Sequence, residues 1–279
     1  MDTSIDIDWT KLDLLEKKIV EMAGWAVEKQ RSLHVEYKAD NSPVTEVDLA
    51  VSHEIVSLIR KLYPGCGIIT EEEEVENRSH SPFTFVLDPI DGTDMYSQGL
   101  PSFCIALGIL DSAFKPVGAV IAAPRFGRGT DEGLVVTLKP GGRPLINGKP
   151  LTVPERDGAI HQITLSSSLV REIDFSDYRG KVRIFGSQIL QILAPALFMN
   201  ISASIDEPCF IWDYSASHAV LLSLGMDLYT PSLTPFRYSP SFLSRHRAEC
   251  ITYGGSYDTV RDLISLCPPL DPDKTVIHY

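Results

Sequence analysis

The sequence predicts an α/β fold in which two helices precede the first strand. The apolar residues of about residues 9–31 and 46–63 recur at three- and four-residue steps, which is typical of amphipathic helices. Short apolar strands then follow one another closely between residues 67 and 138, and this close succession favours an antiparallel sheet. Beyond residue 150, strands alternate with helical stretches. We therefore expect an N-terminal α+β half over residues 1–150 and a C-terminal α/β half over residues 151–279.

The second predicted helix has clear start and stop signals. The second helix opens with Thr45-Glu46-Val47-Asp48, which has the spacing of a capping box with Asp in place of Glu or Gln, and Pro64-Gly65 ends it. Asp48 is therefore a candidate for a structural role, a catalytic role or both. The strands and later helices are predicted at residues 67–70, 83–87, 103–110, 117–122, 134–138, 162–166 and 182–185, and at 187–198 and 215–224.

Composition limits the partners of the protein. The net charge of −12 argues against a nucleic acid polymer or an anionic membrane, and a phosphate ligand would need a metal to offset it. The five cysteines are scattered and have no histidine cluster beside them, which argues for reduced thiols and against structural zinc. The acidic start lacks a signal-peptide profile, and no apolar run approaches the roughly 18 residues that span a membrane. We expect a cytoplasmic protein.

Acidic residues recur directly after apolar segments. Asp88 and Asp91 follow one predicted strand within Asp-Pro-Ile-Asp-Gly-Thr, Glu71 follows another, and Asp213 precedes a helix. Taken singly, Asp88 and Asp91 could belong to a surface turn, and Glu71 could belong to a solvated run of glutamates. Asp213 could be a helix N-cap. Taken together, carboxylates in one pocket would repel one another and need a divalent cation. Because the donors are oxygens only, Mg²⁺ fits better than Zn²⁺.

Six segments, in their order and spacing, resemble the inositol monophosphatase superfamily between about residues 10 and 260. The Asp-Pro-Ile-Asp-Gly-Thr hexapeptide is highly specific, and it lies between a Pro-Val-Thr-x-x-Asp element and a Trp-Asp element. The six segments are Lys38-Ala-Asp-Asn-Ser-Pro-Val-Thr-Glu-Val-Asp48, Ile69-Thr-Glu-Glu72, Asp88-Pro-Ile-Asp-Gly-Thr93, Asn147-Gly148, Gly186-Ser187 and Trp212-Asp213.

The resemblance implies a layered α-β-α-β-α sandwich of the inositol monophosphatase and fructose bisphosphatase type. Its first sheet would be mainly antiparallel and its second largely parallel. It also implies a Mg²⁺ cofactor of two or three ions, a small phosphorylated metabolite as substrate, and a homodimer.

The resemblance further assigns roles to particular residues. The catalytic residues would be Glu71, Thr93 and Asp48. Glu71 and Thr93 would position and deprotonate the attacking water, and Asp48 would hold a further ion through water. The metal ligands would be Glu71, Asp88, the carbonyl of Ile90, Asp91 and Asp213. The substrate-binding residues would be Asp91, Gly92, Thr93, Gly186, Ser187, Asp206 and Asp213, with the backbone N–H groups of Gly92 and Thr93 on the phosphate.

Some positions depart from the family pattern or leave a choice open. Asp94-Met95-Tyr96 stands where many members have Thr-Asn-Phe, which predicts an extra negative charge beside the phosphate unless a cation such as Lys38 offsets it.

Asp206 lies where inositol-type members place an acid that accepts a hydrogen bond from a substrate hydroxyl. Its alternative is a loop acid without a ligand.

The sequence therefore predicts a phosphoric monoester hydrolase. The expected reaction is Mg²⁺-dependent hydrolysis of inositol monophosphate or a similar small ester by metal-activated water. Two alternative enzymes are a 3′(2′),5′-bisphosphate nucleotidase and a histidinol-phosphate phosphatase. The alternative outside enzymes is a pseudophosphatase that binds metal or a phosphorylated ligand without turnover.

Overall fold

A computed structural model describes residues 8–32, 35–37, 43–72, 81–127, 133–239, 242–243 and 246–271. Its helices are α1 (Leu12–Lys29), α2 (Glu46–Leu62), α3 (Thr93–Ser97), α4 (Gln188–Leu197), α5 (Ile211–Ser223) and α6 (Tyr257–Leu266). Its strands are β1 (Val35–Tyr37), β2 (Pro43–Thr45), β3 (Gly67–Thr70), β4 (Phe83–Asp91), β5 (Cys104–Asp111), β6 (Pro116–Ala123), β7 (Leu134–Leu138), β8 (Leu145–Ile146), β9 (Lys149–Pro150), β10 (Gln162–Leu165), β11 (Lys181–Arg183), β12 (Ile201–Asp206), β13 (Asp227–Tyr229) and β14 (Thr252–Gly255).

The strands form two larger sheets and a short hairpin of β1 and β2. The seven-stranded sheet has the order β3-β4-β5-β6-β7-β8-β9 and is antiparallel except between β3 and β4. The five-stranded sheet has the order β11-β10-β12-β14-β13. Its first three strands are parallel, and the pairs β12-β14 and β13-β14 are antiparallel.

Helices cover both sheets and give the predicted layered sandwich. α1 and α2 pack on the outer face of the first sheet, and α5 packs on its inner face. α4 contacts α5 and the second sheet, and α6 packs on that sheet beside β12 and β14. Three hydrophobic clusters fill the spaces between these layers. The cluster between the sheets draws side chains from both predicted halves, and the exact division at residue 150 stays a prediction.

Three expectations about the elements were wrong. β4 does not end at residue 87 but continues to Asp91, which pairs with Cys104 after a register shift where Pro89 lacks a ladder N–H. α5 begins at Ile211 rather than near residue 215, so Asp213 lies in its first turn. The second sheet is mixed rather than largely parallel, because β14 runs antiparallel to both of its neighbours.

The two early helices match their sequence signals. α1 covers the centre of the predicted stretch, with short 3₁₀ turns at Trp9–Lys11 and Gln30–Ser32. α2 starts with the predicted capping box and ends one residue before the predicted end. None of the helices in the described part of the chain is long and apolar enough to cross a membrane.

α5 lies so close to the first sheet that one strand position must lack a side chain. A Cβ atom on Gly108 of β5 would overlap the Ser215 hydroxyl and lie 2.9 Å from the backbone nitrogen of Ala216. We expect Gly108→Ala to lower the free energy of unfolding by about 1–3 kcal/mol in urea titration. Gly24→Ala is the matched control, because nothing lies within 4 Å of that position in α1. The control should be neutral or stabilising, and equal midpoints for both variants would contradict the close packing.

Candidate active site

Three predicted carboxylates meet between the two sheets. One oxygen from each of Asp88, Asp91 and Asp213 lies within 4.8 Å of the other two. Val86 of β4 belongs to the hydrophobic cluster between the sheets. Because side chains alternate along a strand, Asp88 projects to the same side as Val86, toward α5. The end of β4 and the first turn of α5 therefore supply one acidic cluster.

Asp88 is the least satisfied member of the cluster. Its Oδ1 atom is buried and has no hydrogen-bond partner among the described residues. Burial raises the pKa of Asp88 well above its usual range, and the charges of Glu71, Asp91 and Asp213 raise it further. A buried acceptor without a donor destabilises a fold, and a cation would relieve both the missing contact and the repulsion.

Asp91, in contrast, is held by donors from α4. Its Oδ1 accepts the backbone N–H of Gln188 at 3.0 Å, and its Oδ2 accepts that of Ile189 at 3.1 Å. The Ser187 hydroxyl and the Cys104 thiol also donate to Oδ2. Burial raises the pKa of Asp91 to about 6, and the hydrogen bonds oppose that rise. Asp91 is therefore largely ionised at neutral pH. Its negative charge lies at the start of α4, which is the positive end of that helix dipole.

Asp48 and Thr93 approach each other across α2 and α3. The Thr93 hydroxyl lies 2.7 Å from the carbonyl oxygen of Ile90 and 3.2 Å from Oδ1 of Asp48. The other oxygen of Asp48 accepts the backbone N–H of Thr45 at 2.9 Å, which completes the capping box. Desolvation raises the pKa of Asp48. The structural role of Asp48 is thus confirmed, and its second oxygen faces Thr93.

Glu71 and the start of α5 complete the acidic surroundings. Glu71 is half-buried and lies outside the group of three carboxylates. Burial raises the pKa of Asp213 well above its usual range, followed by the charges of Asp91 and Glu71. One oxygen of Asp213 accepts the backbone N–H of Phe210 at 2.6 Å. Asp213 therefore stabilises the start of its helix and also faces the cluster.

The two glycine-containing segments of the prediction lie face to face. Gly92 has φ 83° at the start of α3, and a Cβ atom there would lie 2.7 Å from the Ser102 carbonyl and 3.2 Å from the Ser187 Cβ. The Met95 side chain packs against Gly186, which has φ 78°. Glycine is thus required at both close approaches. The structure brings α3 against the start of α4, and phosphate binding there stays a prediction.

Asp206 is not the exposed loop acid of the alternative interpretation. It is fully buried at the end of β12. Its Oδ1 accepts the side-chain N–H of Gln188 at 2.9 Å, and its Oδ2 lies 2.5 Å from the Ser204 hydroxyl. Burial raises the pKa of Asp206 to about 8, against the effect of these hydrogen bonds. A substrate hydroxyl would have to compete with Gln188, and a substrate role for Asp206 stays a prediction.

The departure at Asp94 places a carboxylate on the surface. Asp94 is exposed, and its Oδ2 accepts the side-chain N–H of Gln98 at 3.1 Å. Lys38, the proposed offsetting cation, lies outside the described residues.

The donor set of the cluster suits a hard divalent cation. The closely spaced groups are carboxylates, Ile90 lies between two of them in the sequence of β4, and Asp88 keeps one buried oxygen without a donor. Oxygen-only sites of this kind select Mg²⁺ or Ca²⁺ over Zn²⁺.

A layered α/β sandwich with a carboxylate cluster between its two sheets defines the class of protein. The inositol monophosphatase family profile matches residues 8–246. The chain belongs to the inositol monophosphatase family.

Individual relatives support the family at differing coverage. The chain is 26% identical to the inositol-1-monophosphatase of Bacillus subtilis over 254 residues, which is 86% of this chain and 91% of the relative. It is 28% identical to the 3′(2′),5′-bisphosphate nucleotidase CysQ of Shigella flexneri, over 77% of this chain and 87% of the relative. The match to Nus factor SuhB of Pasteurella multocida, at 37% identity, spans only 33% of this chain and 35% of the relative.

Solved structures show the same fold. Thermotoga maritima IMPase superposes with a TM-score of 0.73 at 21% identity, covering 91% of this chain and 95% of that one. Staphylococcal inositol monophosphatase-1 superposes with a TM-score of 0.75 at 14% identity, covering 94% and 96%.

Sequence reasoning missed the side chains that hold the site residues in place. Gln188 donates its backbone N–H to Asp91 and its side chain to Asp206, yet it follows Gly186-Ser187 without any motif of its own. Cys104 was considered only as a scattered thiol, although it contacts Asp91. The pairing of Asp91 with Cys104 across β4 and β5 is the signal that could have found it, once the strand was extended.

The raised pKa of Asp206 predicts a pH-dependent stability. Its folded pKa of about 8 lies above the ordinary value, so its contribution is complete below about pH 4 and is lost as pH rises toward 8. Asp206→Asn should remove this loss, because the amide can accept from Gln188 and donate to Ser204. We expect the variant to gain on wild type between pH 5 and pH 8, by up to about 1.4 kcal/mol per pH unit.

Urea titration at several pH values checks this expectation. Asp174→Asn is the control, because the backbone hydrogen bond from Ser176 lowers the pKa of this partly exposed acid. The Asp174 carboxylate is ionised in both the folded and the unfolded protein between pH 5 and 8. The stability difference between Asp174→Asn and wild type should therefore stay constant in that range. A constant difference for Asp206→Asn as well would show that Asp206 is ionised in the folded protein.

Proposed function

We propose that this chain hydrolyses a small phosphate monoester, such as inositol monophosphate, with Mg²⁺ as cofactor. The observation that carries the proposal is the buried cluster of Asp88, Asp91 and Asp213, in which Asp88 keeps an oxygen without a donor. Membership of the inositol monophosphatase family supports the reaction class. The similarity to CysQ of Shigella flexneri supports a bisphosphate nucleotidase as the second candidate.

The chain would hold two or three metal ions through oxygen atoms already near one another. Asp88, Asp91 and Asp213 would be the central ligands, and Glu71 and the carbonyl of Ile90 would complete the set. When bound, Mg²⁺ would neutralise the phosphoryl oxygens and lower the pKa of the attacking water.

Thr93 is suited to orient that water. Its hydroxyl proton can be donated to the carbonyl oxygen of Ile90 at 2.7 Å, which leaves the hydroxyl oxygen free to accept a hydrogen bond from water. Glu71 is proposed as the group that takes the water's proton. Asp48, whose pKa is raised by burial, offers Oδ1 at 3.2 Å as the alternative acceptor for the same hydroxyl proton.

α3, which carries Thr93, is anchored to α1. The buried Tyr96 hydroxyl donates to the carbonyl oxygen of Ala26 at 2.7 Å. The Gln30 side chain donates to the carbonyl oxygens of Tyr96 and Leu100, both at 3.0 Å. These bonds fix the short helix on the side opposite to α4, so they position Thr93 without contacting substrate.

Asp88→Asn tests the metal assignment. We expect Mg²⁺-dependent phosphate release to fall at least about 100-fold on inositol 1-phosphate, adenosine 3′,5′-bisphosphate and histidinol phosphate, because a charged ligand is lost. The variant should melt at a higher temperature than wild type without Mg²⁺, since it lacks a buried carboxyl group whose ionisation is opposed by burial and by the neighbouring charges. Its stabilisation by added Mg²⁺ should largely disappear.

Asp111→Asn is the control for that substitution. Asp111 accepts the backbone N–H groups of Ala113 and Lys115 in the turn after β5, so its loss should spare turnover and the Mg²⁺ response. Turnover by Asp88→Asn within about threefold of wild type would remove Asp88 from the site. A wild type that responds to Mg²⁺ but releases phosphate from none of the esters would favour the pseudophosphatase.

Tyr96→Phe tests the anchoring of α3. Loss of one hydrogen bond of about 0.5–1.5 kcal/mol should lower kcat by roughly 2- to 10-fold at saturating substrate while the Mg²⁺ response is kept. Tyr63→Phe is the matched control, because its hydroxyl lies 3.4 Å from the carbonyl oxygen of Asp8, far along α2 from the site. An unchanged kcat for Tyr96→Phe, or the same fall for Tyr63→Phe, would show that the anchor has only a structural role.

A further inference from the structure

A cleft of about 700 Å³ lies at the amino ends of the parallel strands in the second sheet. Its lining includes Gln162 and Lys181, which are the first residues of β10 and β11, and Asn200, which precedes β12. α4 follows the carboxyl end of β11, and its first residue, Gln188, binds Asp91 of the carboxylate cluster. The cleft therefore lies at the edge of the second sheet opposite to the start of α4, and it is separate from the proposed catalytic centre.

The cleft gathers side-chain donors that lack a partner. Four of its lining residues have a side chain that forms no hydrogen bond or ion pair with any residue in the described part of the chain. These are Gln162, Arg179, Lys181 and Asn200. Arg156 and Arg237, in contrast, donate to carbonyl and carboxylate oxygens of the protein. In a chain with a net charge of −12, two cations without a partner in one cleft create a local positive potential.

The backbone holds Arg179 and Lys181 at a fixed spacing on either side of Gly180. The N–H of Lys181 donates to the carbonyl oxygen of His161 at 2.9 Å, where β11 begins to pair with β10. The Tyr178 hydroxyl donates to the carbonyl oxygen of Lys181 at 3.3 Å. A Cβ atom on Gly180 would overlap the Tyr178 hydroxyl and lie 2.6 Å from the carbonyl oxygen of His161. The segment that carries the two cations is thus closely packed against the start of β10.

Apolar side chains complete the lining of the cleft. Ile160 and Leu266 are half-buried there, and Tyr178 is buried. A cleft of this volume admits a ligand of the size of a nucleotide. It therefore offers cations for a phosphate group and an apolar surface for an organic group.

We propose that this cleft is a second ligand site, which binds a small phosphorylated molecule without hydrolysing it. The planar guanidinium of Arg179 can donate two parallel hydrogen bonds to phosphate, and Lys181 supplies a second cation, so a diphosphate meets both. The side-chain amides of Gln162 and Asn200 can donate to the remaining oxygens. Asp177 is the only carboxylate among the described lining residues, so the cleft lacks the grouped acids that metal-assisted hydrolysis needs.

Calorimetric titration of ADP in the presence of EDTA tests this proposal. Without a divalent cation the carboxylate cluster repels phosphate, so binding under this condition reports on the cleft. We expect wild type to bind one ADP per chain. The double variant Arg179→Gln with Lys181→Gln should bind ADP at least about 10-fold more weakly, because charge-assisted hydrogen bonds are lost. Adenosine, which lacks phosphate, should bind to wild type at least about 10-fold more weakly than ADP does.

The double variant Arg143→Gln with Lys115→Gln is the control for the loss of two positive charges. Both residues are exposed, lie between strands of the first sheet and are outside the cleft lining. This control should bind ADP within about twofold of wild type. Asp177→Asn should tighten ADP binding by about two- to fivefold, because a repelling carboxylate leaves the lining. A misfolded variant would not show this gain.

Several results would overturn the proposal. These are no ADP binding by wild type in EDTA, equal affinities of wild type and the Arg179 and Lys181 double variant, an equal loss in the control, and binding of adenosine as tight as that of ADP. An unchanged or lower affinity of Asp177→Asn would also place the anion outside the cleft.

Asp88→Asn separates this proposal from the proposed function. In EDTA this variant should bind ADP as wild type does, whatever its turnover with Mg²⁺. A change of about 10-fold in its ADP affinity would assign the nucleotide to the carboxylate cluster and overturn the second site. Failure of wild type to release phosphate from any ester would overturn the proposed function and leave the ADP result as it stands.

Discussion

The attachment of Asp91 to the start of α4 is the interaction on which the arrangement of the site depends. Asp91 ends a strand of the first sheet, and α4 rests on the second sheet. The backbone N–H groups of Gln188 and Ile189, which have no partner within their own helix, are satisfied by this one carboxylate. The same carboxylate therefore belongs to the acidic cluster and attaches α4, which rests on the second sheet, to the end of β4.

A positively charged side chain, Arg156, binds the C-terminal end of α4. Arg156 donates to the carbonyl oxygens of Met199 at 3.1 Å, Phe198 at 3.0 Å and Ile201 at 2.8 Å, where the helix ends. Anion at the N-terminus and cation at the C-terminus both match the helix dipole. Because α4 is apolar around most of its circumference, these two end contacts fix its position along its axis between the layers.

The sequence predicted the parts of the fold and site that depend on local pattern. The periodicity of α1 and α2, the capping box at Asp48 and the existence of strands β3 to β7 in the first sheet all arise from neighbouring residues. The antiparallel β14 and the early start of α5 depend on distant contacts, such as the pairing of Ile205 with Tyr253. The partners of Asp206 lie on β12 and α4, so no spacing rule could show that its carboxylate is buried and occupied.

The hydrogen bonds that each acid of the cluster accepts distinguish a structural role from a chemical one. Asp91 accepts donors on both oxygens, and the charge it keeps stabilises the helix that it caps. Asp88 lies on the same strand but retains a buried oxygen without a donor, so folding opposes the ionisation of its carboxyl group. A protein that needed only a stable link between its sheets would gain by replacing Asp88 and keeping Asp91. A bound cation would supply the partner that Asp88 lacks, so the proposed metal site accounts for an acid that otherwise destabilises the fold.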